Sequence, residues 1–163
     1  MSVVDEFLQA NKTYAANFQK GDLALPPARK VAVLACMDAR LDPARILGLE
    51  EGDAHVIRNA GGRVADALRS LIISEQLLGT ETIVIIHHTD CGMLTFTDDQ
   101  IHQKVRQELH ADADAIAFLP FNDLERSVRD DIAILKDSKL IPASIAIRGF
   151  IYEVESGRLR EVA

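Results

Sequence analysis

The chain has 163 residues, enough for one domain with a full core. Apolar residues make up 48% of it, which places it among globular rather than disordered chains. A net charge of −7 argues against nucleic acid as the main partner, because phosphate binding needs a basic face, and no apolar run approaches the roughly 18–20 residues that span a bilayer.

The first residues, Met1 to Glu6, lack a basic start and an apolar stretch and do not read as a signal peptide. A cytoplasmic, reducing location is the expectation. There the two cysteines of the chain are metal ligands or catalytic thiols sooner than a disulfide. Residues 3–19 have helical spacing, with Val4, Phe7, Leu8, Tyr14 and Phe18 apolar. Gly21 breaks that pattern, and Leu23 to Pro27 reads as an extended linker. Residues 1–27 thus form an N-terminal helical arm suited to packing on a neighbouring subunit.

Val31 to Cys36 predicts the first strand. Pro43 opens a short helix ending near Gly48. A second strand is expected over Ala54–Ile57, then a tight loop, Asn59-Ala60-Gly61-Gly62, and a helix from Val64 to Leu78 stopped by Gly79. Ile83 to His88 predicts the third strand. Amphipathic helices are expected over Asp98–His110, with Asp98-Asp99 as the cap, and over Asp123–Lys136. Ser144 to Phe150 predicts the fourth strand, and Tyr152 to Val162 reads as a hairpin around Ser156-Gly157. The alternation predicts an α/β fold: a mainly parallel central sheet flanked by helices, with a C-terminal β-hairpin, as one domain over 1–163.

In such sheets ligands sit beyond the carboxyl ends of the strands. Both cysteines lie there, in Cys36-Met37-Asp38-Ala39-Arg40 and in His88-Thr89-Asp90-Cys91-Gly92. Cys36 alone would read as a small core residue, and a lone His88-x-x-Cys91 is a weak signal. Together they supply three ligands of the mixed sulfur and nitrogen kind that zinc favours, the number typical of a catalytic zinc with an open fourth position. Asp38 and Arg40 follow Cys36 at a spacing of two; on an extended backbone they project to its side and can pair near the metal. His87 faces away from His88 and is assigned to packing or to a hydrogen bond behind the ligands. The Asn59–Arg63 loop has neither the Gly-x-Gly-x-x-Gly spacing nor a following Walker-type lysine, so a plainer role is to bring backbone amides close to the metal. His55, His102 and His110 read as surface or packing residues.

Three segments in this order, Cys36 to Arg40, Val56-Ile57-Arg58-Asn59-Ala60-Gly61-Gly62, and His88 to Gly92, resemble the β-class carbonic anhydrases in their compact form. The likeness covers nearly the whole chain. It implies a zinc enzyme with one ion per chain on Cys36, His88 and Cys91, which adds zinc-bound hydroxide to carbon dioxide to give bicarbonate. Asp38 and Arg40 would be its catalytic dyad, Asp38 a conditional ligand at low pH, and Gly61, Gly62 and Gly92 would border the substrate. A homodimer or homotetramer is implied. Ala39 stands where many members have serine, and without tryptophan the tryptophan-lined bicarbonate pocket of some members is not expected. The compact branch is also similar to enzymes that hydrolyse carbonyl sulfide to hydrogen sulfide and carbon dioxide, and the zinc motif does not separate the two gases. A non-catalytic zinc-stabilised binding module would need a fourth permanent ligand, for which Asp38 is available.

Overall fold

Val31–Cys36 forms strand β1, and every residue of it after Val31 is buried. Burial on both faces is what a continuous apolar run in a parallel sheet requires. In the computed structural model, which describes residues 2–163, β1 pairs in parallel with β2 (Ala54–Asn59) on one side and β3 (Thr82–His88) on the other. Next to β3 lies β4 (Ala146–Tyr152), also parallel, and then β5 (Leu159–Glu161), antiparallel to β4. The order β2-β1-β3-β4-β5 gives the expected mainly parallel sheet closed by a C-terminal hairpin.

The side chains alternate between two faces. Ala32, Leu34, Ile83, Ile85 and Ile151 pack with Val64, Ala67 and Leu71 of α3 (Val64–Leu78) and with Val128, Ile132 and Leu135 of α5 (Leu124–Asp137). Val33, Ala35 and Ile86 face the other way, against Leu47 at the end of α2 (Pro43–Leu47) and Leu49 just beyond it. Helix α1 (Val3–Ala16) contributes no buried residue, and Val3, Val4, Phe7, Leu8, Tyr14 and Phe18 are all exposed. The arm touches the body through Glu51, which accepts from Tyr14 and Lys20. No helix among the described residues is long and apolar enough to cross a membrane.

Several boundaries differ from expectation, each for a local reason. Helix α1 stops at Ala16 rather than 19, because Asn17 caps it through a 2.9 Å bond to the Thr13 carbonyl. Strand β2 runs on to Asn59, because Asn59 still pairs with Cys36. Strand β4 starts at Ala146 rather than 144, because Pro142 to Ile145 closes a turn. In α4 (Asp98–Leu109) the cap is Thr97, reciprocated by Gln100, and not the Asp98-Asp99 pair. Asp98 instead accepts from the Phe118 amide at 3.0 Å.

Candidate metal centre

Cys36 ends β1, His88 ends the adjacent β3, and Cys91 follows one turn later. Sheet pairing therefore carries the two ligand groups to the same edge. The ligand atoms of Cys36, His88 and Cys91 lie within 4.8 Å of one another, and all three residues are buried. The turn between His88 and Cys91 is made at Asp90, in the left-handed region at φ 54°, a conformation aspartate tolerates better than most residues.

The donor set can be tested against a metal by asking what its atoms do. His88 Nδ1 stands 2.8 Å from the Thr89 carbonyl, an acceptor, so that nitrogen carries the proton. Nε2 is then free to bond as a lone pair. It is buried with no hydrogen-bond partner, and it is turned into the pair of thiols. A buried polar atom left unpaired is costly. Two sulfurs and an imidazole lone pair are the donors zinc prefers, and a backbone carbonyl behind the histidine is the usual way its ligating nitrogen is aimed. The residues fit a zinc ion.

The thiols are unequal. A hydrogen bond from Cys91, with the backbone amides of Asp38 and Gly61, outweighs burial and drives the Cys36 thiol down towards thiolate. Cys91 is driven up by the same neighbour and by burial. Binding of a cation to both sulfurs would release their remaining protons.

Asp38 and Arg40 lie beside this cluster, although not on an extended strand as the spacing of two suggested. Strand β1 ends at Cys36, and Asp38 accepts the amide of Arg40 at 2.8 Å, which turns the chain. Arg40 then donates to both oxygens of Asp38, at 3.0 and 2.8 Å. Its guanidinium holds Asp38 well below the usual carboxylate range. Asp38 remains outside the three-residue cluster, with Oδ2 at 3.8 Å from His88 Nε2.

Two contributors were not singled out from sequence. Asp90 takes the other side of the Arg40 guanidinium, through its carboxylate at 2.8 Å and its carbonyl at 3.0 Å. Arg58 donates to the carbonyls of Cys36 at 3.0 Å and Asp38 at 2.7 Å, holding the turn that carries ligand and dyad. Position between two ligands was the available signal for Asp90, and for Arg58 its place in the Val56–Gly62 segment that carries the resemblance.

The glycines act differently from one another. Gly62 has φ 64°, and a Cβ there would sit 3.0 Å from the backbone of Ala35 and Cys36. A Cβ on Gly61 would meet Met93, Arg63 and Phe121. Gly92 is exposed with open space where a side chain would stand. Leu41 and Met93 pack with the cysteines, and Phe96, Phe121, Tyr152 and Val154 pack around them. A cavity of about 460 Å³ opens between Leu94–Thr97, Gln100 and Pro120–Asn122. His87 points to the opposite side from His88, into a buried polar cluster with Ser127 and Asp131. Half-buried His55 bonds Ser74, His102 bonds the Ile116 carbonyl, and His110 terminates α4.

A metal-ready Cys-His-Cys cluster beside an aspartate–arginine pair, on this sheet, defines a class of protein. Residues 31–159 match the family model described as carbonic anhydrase. The chain belongs to the β-class carbonic anhydrase family. It is 44% identical to beta-carbonic anhydrase 1 of Mycobacterium tuberculosis, over 99% of both chains. The crystal structure of carbonic anhydrase from Streptococcus mutans superposes with a TM-score of 0.94 at 52% identity, covering 100% of this chain and 99% of that one. A related branch is also similar: a carbon disulfide hydrolase of Saccharolobus solfataricus is 36% identical over 97% of this chain and 88% of its own.

Proposed function

We propose that this chain catalyses the reversible hydration of carbon dioxide to bicarbonate at a zinc ion held by Cys36, His88 and Cys91. The observation that carries the reading is the unpartnered, buried Nε2 of His88, aimed at two thiols by the Thr89 carbonyl. Zinc bound there supplies a Lewis acid that makes hydroxide available near neutral pH.

The chain's own residues do the rest. Arg40 fixes Asp38 as a carboxylate, and Asp38 would accept a hydrogen bond from a water or hydroxide beside the cluster and so orient it towards the substrate carbon. Asp90 keeps the guanidinium in place. Leu41, Met93, Phe96 and Phe121 give an apolar surround suited to a small uncharged gas. Gly92 leaves room next to Cys91 for its approach, while Gly61 and Gly62 shape the site through their backbone.

Hydrolysis of carbonyl sulfide by the same attack is the second reading, and the similarity to a carbon disulfide hydrolase favours it. A purely structural zinc is disfavoured, because such sites are closed by four ligands and Asp38 is committed to Arg40. We further propose one domain over 1–163, a cytoplasmic location, and a homodimer or homotetramer in which the exposed apolar side of α1 is covered by a second copy.

Stopped-flow assay of the zinc-loaded protein against both gases tests the reading. Fast hydration of carbon dioxide with little sulfide released from carbonyl sulfide is expected. Sulfide release without hydration would move the assignment to the second reading.

A further inference from the structure

Behind the metal centre lies a buried polar cluster that the proposed chemistry leaves unused. Asp131, on α5, is 0% exposed. Its carboxylate accepts from Arg63 Nε at 3.1 and 3.2 Å, from Arg63 NH2 at 2.9 Å and from the Val64 amide at 3.1 Å, and it lies 3.2 Å from His87 Nε2. His87 Nδ1 in turn meets the Ser127 hydroxyl at 2.7 Å. A buried charge is strongly destabilising unless it is paired this fully.

The bonds converge on one short loop. Helix α3 begins after Arg63 with no capping side chain of its own, and Asp131 supplies that cap from another helix. Asn59 closes the opposite side, accepting from the Arg63 amide at 2.7 Å and donating to its carbonyl at 3.0 Å. The loop so clamped backs Cys36 directly. Asn59 pairs with Cys36 across the sheet and accepts from the Met37 amide at 2.8 Å. Gly62 is pressed against the Cys36 backbone, and its carbonyl is 3.2 Å from His87 Nε2. Arg63 reaches further: it donates to the carbonyl of Leu119, a residue at φ 61°, and lies 5.3 Å over the Phe121 ring, which also stacks on His87.

We propose that Asp131 is a positioning residue for the metal centre: through Arg63 and Val64 it fixes the 59–63 loop, and that loop fixes the Cys36 ligand. The proposal rests on the zinc reading of Cys36, His88 and Cys91. Partners behind metal ligands typically change metal affinity 10–100-fold when removed.

The test uses zinc-loaded wild type, Asp131→Asn, Arg63→Gln and a core control, Ile141→Ala, remote from the site. Zinc affinity is read by chelator competition, and ligand geometry by the thiolate-to-cobalt absorption band of the cobalt-substituted proteins. Asp131→Asn and Arg63→Gln are expected to bind zinc roughly 10–100-fold more weakly with a shifted band. Ile141→Ala is expected to lose melting temperature and keep both values. Wild-type affinity and an unmoved band in Asp131→Asn and Arg63→Gln would overturn the proposal. If Asp131→Asn does not fold, Arg63→Gln decides alone by the same criterion. Wild type that takes up no zinc refutes the zinc reading before any variant is considered, and the proposal falls with it.

Discussion

Asp38 Oδ2 stands 3.8 Å from Nε2 of His88 while both oxygens of Asp38 are held by Arg40. On the proposed reading, the carboxylate is near enough to serve a metal held by Cys36, His88 and Cys91 and is tethered away from ligating it. This division of labour makes the dyad separable from the ligands.

Asp38→Ala is therefore expected to keep zinc and to lose turnover by about 10²–10⁴-fold, the usual effect of removing an acid–base group. Metal analysis alongside steady-state rates checks it. Near-wild-type rates would make the pair merely structural.

Arg40→Ala leaves Asp38 free to swing onto the metal. Lower activity is expected with an altered absorption spectrum of the cobalt-substituted protein, reporting an added oxygen ligand. An unchanged spectrum at full activity would show that the tether is dispensable.

The pH dependence follows from the same pair. Arg40 lowers the pKa of Asp38, so its stabilising contribution is present above the unfolded value of about 4 and is lost as the pH falls through the lower folded value. Asp38 is ionised throughout the neutral range, and no inflection there belongs to it. Two thiolates soften the acidity that zinc can confer on water, so activity is expected to rise from neutral pH towards about pH 8–9. Asp38→Asn should lower the plateau without moving that rise. A flat profile from pH 6 to 9 at constant metal content would contradict this.

Gly149 on β4 links a core prediction to a site prediction. A Cβ there would lie 2.4 Å from Val128 Cγ1 and 2.6 Å from Ile132 Cδ1 of α5. Gly149→Ala should destabilise by about 1–3 kcal/mol, as overpacking does, and should weaken zinc binding, because the helix it displaces also carries Asp131. Denaturant titration and chelator competition on the same sample check both halves.

Helix α1 exposes Phe7 and Leu8 at more than half their surface and buries nothing. Light scattering should find a dimer or tetramer at micromolar concentration. Deletion of residues 1–20 should shift it towards smaller species; a wild-type monomer would contradict the assembly.

What the sequence made legible was periodic or punctuated. Strand β1 and helix α3 fall at their predicted bounds, because a fully apolar run and a Gly79 stop are local signals. The end of β2 drifted to Asn59 because pairing with Cys36 sets it, and the start of β4 drifted to Ala146 because the Pro142–Ile145 turn delays it. The grouping of Cys36, His88 and Cys91 was legible because two strand ends carried them. The Arg63–Asp131 clamp was not: its members are 68 residues apart, and Arg63 reads alone as a loop residue and Asp131 as an ordinary charged helix residue.

The most direct measurement is the initial rate of carbon dioxide hydration as zinc is titrated into chelator-stripped protein. The account predicts a linear rise that breaks at one zinc per chain. No hydration at any ratio, or full hydration before zinc is added, would contradict it.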